Sequence, residues 1–199
     1  MTHTHHADRP TRRQVVAAIA AAAGAGIAGC STDESTTGTP TPVSLAGTKQ
    51  CEVCGMVVAE HPGPSATTFF ADQTPEGHDG PAWFDSVKER FVYVREKERL
   101  GWTPTVTYVT DYSTVDYEIA DEGGTKTISR HVAPGTFAPA SEVVYAAGSE
   151  VVGAMGVDLL PFTVRDDAAA FRDEHGGWLV THDDVTEETL ARLRRSERA

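Results

Sequence analysis

Cys51-Glu52-Val53-Cys54-Gly55-Met56, followed by Glu60-His61-Pro62-Gly63-Pro64, gathers two thiols, a thioether and an imidazole within one short stretch. On an extended segment, residues i and i+2 face the same way, so Cys54 and Met56 would present their sulfurs on one side. His61 stands where the chain turns and can close on that side, and Cys51 lies one tight turn before it. Soft sulfur donors select Cu(I) and disfavour hard ions such as Mg²⁺ and Ca²⁺. Three uses of the Cys-x-x-Cys remain open on spacing alone: a metal site, a redox pair or a structural disulfide. A structural zinc site wants four Cys/His ligands in two spaced pairs, and no second Cys pair exists. A thioredoxin-like pair opens a helix after a strand, whereas this one precedes a β-like run. Met56 as core filler and His61 as a surface turn residue are the bland alternatives.

The elements that must hold this segment can be read from periodicity. Cys51 to Ala59 reads as extended, stopped by His61-Pro62-Gly63-Pro64. Ala66 to Ala71 has strand composition. Phe84, Val87, Phe91 and Val94 recur at helical spacing, with Ser86 and Asp85 both able to cap the helix. Strands are expected at Thr105–Thr110, at Val115–Ala120 with Thr125–Val132 as its hairpin partner, at Glu142–Ala147 and at Trp178–Thr181. Gly148 to Leu160 is punctuated by glycine and carries Met155. Asp166 can cap a helix over Asp167–His175 stopped by Gly176-Gly177, and Thr186 can cap a last helix to about Arg195. Strand, helix and returning strand thus occur twice, around residues 84–110 and 162–181. That pattern predicts an α+β fold of two small related units, about 49–112 and 113–199.

Ahead of them the composition changes twice. Arg12-Arg13 precede an apolar run from Val15 to Ile27 that ends at Ala28-Gly29-Cys30. This reads as a signal peptide over residues 1–29 of the twin-arginine type, with a lipobox whose Cys30 receives lipid and anchors the chain to the outer face of the membrane. Residues 30–48, rich in Ser, Thr, Gly and Pro, are expected to be a flexible tether, because they offer little apolar surface to offset ordering. Formal net charge is −12, and loss of residues 1–29 makes it more negative still. Nucleic acid is excluded as a partner, since binding it needs a basic surface. Four lysines among 17 basic residues, in so acidic a chain, suggest adaptation to high salt. His3, His5 and His6 precede the signal and are discounted. His78, His131, His175 and His182 lack a partner motif and are expected at the surface.

Cys54-Gly55-Met56 with Glu60-His61-Pro62-Gly63-Pro64 resembles the signature of the NosL family, lipoproteins that accompany nitrous oxide reductase. Phe84-Asp85-Ser86, Tyr93-Val94-Arg95-Glu96, Tyr108-Val109-Thr110-Asp111-Tyr112, Met155-Gly156 and Ala168-Ala169-Ala170-Phe171 extend the likeness through most of the chain. Two departures are Ala154, where the family usually has Pro before Met-Gly, and Ser65, where many relatives have Lys. The resemblance implies two related ββαβ-type units, a fold shared with the organomercurial lyase. It also implies Cu(I) binding and copper supply to nitrous oxide reductase through a copper-insertion ABC-type transporter complex. Carried over residue by residue, Cys54, Met56 and His61 are the leading ligand candidates, with Cys51 and Met155 next. The competing class is an enzyme, either a thiol–disulfide oxidoreductase using Cys51 and Cys54 or a carbon–mercury lyase. The lyase lacks a cysteine after Cys54 to converge on the pair, and redox exchange has no need of Met56 or His61.

Overall fold

The computed structural model describes residues 38–197. The expected signal peptide, Cys30 and the first part of the tether lie outside the described residues. The first unit comprises Ala66–Phe70 (β1), Ala82–Phe84 (β2), Val87–Arg99 (α1) and Pro104–Thr110 (β3). β1 lies between β2 and β3 and is antiparallel to both. Of the two possible caps, Ser86 is used: its Oγ accepts the Glu89 N–H at 3.2 Å. Val87, Phe91 and Val94 form the buried face of α1. Phe84, which shares their spacing, belongs to β2; it fits the helical pattern because strand end and helix point into one core.

Next come the hairpin Ile119–Glu122 (β4) and Thr125–Ile128 (β5), the short strand Phe137–Pro139 (β6), then Val144–Ala147 (β7) and Val151–Val152 (β8). Leu159–Phe162 (β9), Arg165–His175 (α2), Trp178–Thr181 (β10) and Glu187–Ser196 (α3) complete the chain. β7, β9, α2 and β10 repeat the first unit's ββαβ order, again with the first strand central, as β10-β7-β9. The boundary expected near residue 113 is displaced. β6 pairs with β3 and so extends the first sheet, and the second unit begins only at Val144. Between them β4 and β5 pair in register from Ile119↔Ile128, with β8 parallel to β5. Residues 115–118 therefore stay outside the hairpin. Asp166 is not a cap: α2 starts at Arg165 without a side-chain cap bond. Asp166 and Asp167 instead occupy its first turn, where the helix dipole favours carboxylates. Thr186 caps α3 as expected, accepting the Thr189 N–H at 3.3 Å.

The two units share their interior through the β7–β9 pair. Tyr145, Ala147 and Leu159 face one cluster together with Phe84, Val87 and Phe91. Ala146, Leu160 and Phe162 face the other, with Ala168 and Phe171 of α2. Side chains alternate across a strand, so a strand covered on both faces must be apolar at every position. Val-Tyr-Ala-Ala and Leu-Leu-Pro-Phe meet that demand.

Residues 40–48, expected to belong to the tether, are docked on the domain. Leu45 is fully buried and its N–H donates to the Val132 carbonyl at 2.8 Å. The Tyr108 hydroxyl donates to the Pro40 carbonyl at 2.7 Å. A single leucine in a polar stretch therefore docks residues 40–48 onto the domain, because its burial outweighs the ordering of a few residues around it. Among the described residues no helix is long and apolar enough to cross a membrane.

Candidate metal centre

The segment carrying the cysteines is a closed loop and not the extended run expected for Cys51–Ala59. A bridge between Gln50 and Val57 closes it. The Cys51 N–H donates to the Met56 carbonyl at 2.8 Å, and the Gly55 N–H to the Cys51 carbonyl at 2.9 Å. Gly55, at φ 74°, takes the left-handed conformation that reverses the chain. A 3-10 turn over Val58–Glu60 follows. The i, i+2 reasoning that set Cys54 beside Met56 does not apply to such a loop. What the loop brings together is its own two thiols.

A third group comes from the first unit. The Glu52 N–H donates to the Trp83 carbonyl at 2.9 Å, fastening the loop to β2. One residue beyond β2 lies Asp85, immediately before the cap of α1. Cys54 Sγ donates to Asp85 Oδ2 at 3.3 Å. Ligand atoms of Cys51, Cys54 and Asp85 all lie within 4.8 Å of one another. Both cysteines are free; Cys51 is buried and Cys54 half-buried. Asp85 is 2% exposed, and its Oδ1 is buried without a hydrogen-bond partner. Burial pushes the Cys51 thiol up to about 12. The Cys54 thiol is raised as well, first by burial, with the charge of Asp85 and its hydrogen bond adding to the shift. Both sulfurs therefore hold their protons at neutral pH, and a metal must displace them.

Sequence reasoning missed Asp85 as a member of this site. The available signal was its redundancy: Asp85 and Ser86 were both candidate caps for one helix. Once Ser86 caps α1, the neighbouring carboxylate is free to face the thiols.

Met56, His61 and Met155 are placed as follows. Met56 is half-buried within the cysteine loop, tied to Cys51 through its carbonyl. His61 is half-buried just after the 3-10 turn and is not part of the three-residue group. Met155 sits at the tip of a turn bridged between Gly153 and Gly156. That turn rests against the His61-Pro62-Gly63-Pro64 segment. Gly63 has φ 107°, and a Cβ there would lie 2.5 Å from Gly153 Cα. Only glycine allows backbones this close. The Lys88 Nζ donates to the Met155 carbonyl at 2.9 Å. The start of α1 thus supplies Asp85 to the cysteine loop and Lys88 to the methionine turn.

The four remaining histidines are not free surface residues; each is half-buried against a partner. His78 Nε2 is 2.8 Å from Glu52 Oε1, and its ring stacks on Trp83 at 3.6 Å. His131 Nε2 is 3.1 Å from Ser129 Oγ. His175 packs on Phe171 with ring centroids 4.6 Å apart. His182 packs on Phe91, and its Nδ1 is 3.3 Å from the Tyr145 hydroxyl. Aromatic faces exposed by neighbouring elements recruit these rings, a reason that no local motif carries.

Comparison with known proteins points in one direction. The family model described as NosL matches residues 42–190. The copper-binding lipoprotein NosL of Achromobacter cycloclastes is 31% identical over 135 residues, 67% of this chain and 62% of that protein. The copper-binding lipoprotein NosL of Stutzerimonas stutzeri is 26% identical over 175 residues, 83% of this chain and 76% of that protein. The chain thus spans a little under two thirds of the first relative's length. The crystal structure of the copper chaperone NosL from Shewanella denitrificans superposes with a TM-score of 0.59 at 25% identity. It covers 73% of this chain and 96% of that one.

Proposed function

The chain belongs to the NosL family, and from that premise we propose that it is a Cu(I)-binding metallochaperone and not an enzyme. It is exported, anchored through lipid on Cys30, and hands copper to an ABC-type insertion complex for the maturation of nitrous oxide reductase. The observation that carries the copper reading is the convergence of the reduced Cys51 and Cys54 with Asp85 within 4.8 Å. Two thiolates are soft donors suited to Cu(I), and carboxylate is a poor ligand for that ion. Asp85 therefore acts on the metal through Cys54. It holds the thiol in place by accepting its hydrogen bond. Met56, His61 and Met155 are the weaker thioether and imidazole donors from which a transferable site would be completed.

The same two thiols are what an oxidoreductase would use. Its attacking cysteine needs a lowered pKa to be thiolate at neutral pH. Burial raises both thiols here, which favours metal binding over redox turnover. The test is anaerobic titration of the reduced protein with Cu(I) against a competing chelator, run beside an assay for disulfide exchange. Stoichiometric copper binding without exchange activity supports the chaperone; exchange turnover without tight copper binding sinks it. Intact-mass analysis of the membrane fraction tests the anchor, which requires a mature chain beginning at an acylated Cys30. One acyl chain holds a protein to a membrane only weakly, so more than one is expected.

A further inference from the structure

In the first turn of α1, a buried positive charge has no ion-pair partner. Arg90 is 5% exposed. Its guanidinium donates to the hydroxyls of Thr68 and Thr107. Among the described residues no carboxylate forms an ion pair with it. Removing a guanidinium from water is costly unless another charge compensates, and two threonine hydroxyls supply dipoles but no charge. Burial accordingly lowers Arg90 to about 10, a value at which it is still cationic at neutral pH.

Arg90 reaches solvent at two clefts. One, of about 230 Å³, is lined by Arg90, His182, Thr105, Thr107 and Ser141 with apolar neighbours, and no carboxylate borders it. In a chain of net charge −12, a cleft whose polar lining is one arginine, one histidine and three hydroxyl residues is a local reversal of sign. The Tyr145 hydroxyl donates to the Ala140 carbonyl at 3.2 Å and so accepts from His182 Nδ1 at 3.3 Å. Burial lowers His182 to about 4, so at neutral pH the ring is uncharged and its Nε2 is an acceptor. The second cleft, of about 250 Å³, shares Arg90 and His182 but adds Arg95, Glu98 and Asp183. Its acids disfavour an anion on that side. Arg95 contributes positive charge to the region, with its Nη1 buried and unpartnered.

We infer that the acid-free cleft is a binding site for a small oxyanion of the phosphate or sulfate class, which supplies the counter-charge Arg90 lacks. Arg90, whose Nη1 has no hydrogen-bond partner among the described residues, provides a charged N–H donor and Ser141 at the rim a hydroxyl, donors suited to tetrahedral oxygen ligands. The lining of the cleft shares no residue with the group formed by Cys51, Cys54 and Asp85.

The test is titration of the full-length protein in detergent with sodium sulfate and with inorganic phosphate, against sodium chloride at matched ionic strength. It is read from the NMR signals of the Arg90 Nε–H and the His182 ring, and from the melting temperature. Saturable shifts and a rise in melting temperature beyond that in chloride are expected. Arg90→Met should weaken binding by about tenfold or more, the effect of losing a charge-assisted hydrogen bond. Should that variant fail to fold, Ser141→Asp decides the matter, because it alters only an exposed rim position. A carboxylate placed there occupies the cleft and should remove the response to sulfate and phosphate. Equal responses to oxyanions and chloride at matched ionic strength, or an unaltered response in Ser141→Asp, would overturn the inference.

Discussion

Cys54 and Asp85, 31 positions apart in the chain, are joined by a thiol-to-carboxylate hydrogen bond of 3.3 Å, and the other Asp85 oxygen has no partner. The carboxylate stabilises the protonated thiol twice, by accepting its hydrogen and by opposing a second negative charge. Asp85→Asn removes the charge, so the Cys54 thiol should ionise more readily. Alkylation of Cys54 by iodoacetamide, followed against pH, should show its reactive form appearing at lower pH in the variant. An unchanged profile would mean that Asp85 does not act on Cys54.

Copper binding should be dominated by the thiols. Cys51→Ser and Cys54→Ser should each weaken Cu(I) by more than the roughly 10–100-fold typical of losing an outer-shell partner. Met56→Leu, His61→Ala and Met155→Leu should each cost less. Competition titration against a Cu(I) chelator orders the five variants. Should His61→Ala or Met155→Leu prove the most damaging, the metal sits nearer the methionine turn than the cysteine loop.

The pH dependence of copper binding follows from the raised thiols. Because both are protonated at neutral pH, binding by the pair should release about two protons per ion. Affinity therefore rises with pH across the neutral range and falls as pH drops. Calorimetry in buffers of different ionisation enthalpy counts the protons, and a count near zero would exclude the thiols as ligands.

Asp158 gives a separate pH effect on stability. It is 2% exposed, and burial raises it from 3.8 to about 6 despite the hydrogen bonds it accepts from the Lys88 and Leu159 N–H groups. A folded-state pKa above the unfolded one favours folding at low pH: this contribution is complete below about 4 and is lost as pH rises through about 6. The change amounts to about 3 kcal/mol. Asp158→Asn keeps an acceptor for both N–H groups. It should flatten the stability profile between about pH 4 and 6 in urea melts, while a profile like that of the natural protein would refute the assignment.

Two glycines separate conformational strain from steric contact. Gly55→Ala meets open space at φ 74° and should cost about 1 kcal/mol. Gly63→Ala meets Gly153 Cα at 2.5 Å and should cost about 3 kcal/mol or more by forcing the segment from the methionine turn. Thermal melts of the two compare them, and equal losses would mean that Gly63 and Gly153 are not packed as described.

Sequence by itself determined what depends on neighbours along the chain. The cap Thr186, the strand at Trp178–Thr181, the β4–β5 hairpin and the repeated strand–helix–strand order were all legible. Caps, turns and alternation act within a few residues, so their signals survive in a linear reading. The proximity of Cys51 and Cys54 was legible for the same reason. Tertiary structure alone decided the rest. It chose Ser86 over Asp85 as the cap and so turned Asp85 toward Cys54. It docked Leu45 onto the Val132 carbonyl, moved β6 to the first sheet and seated Gly63 against Gly153. The oppositely facing residues of β7 and β9 join two cores, a role invisible in strands of uniform apolarity. Each of these outcomes joins residues tens of positions apart. What selects among locally equivalent options is the burial of apolar surface and the pairing of buried polar groups, and both exist only once distant segments have met.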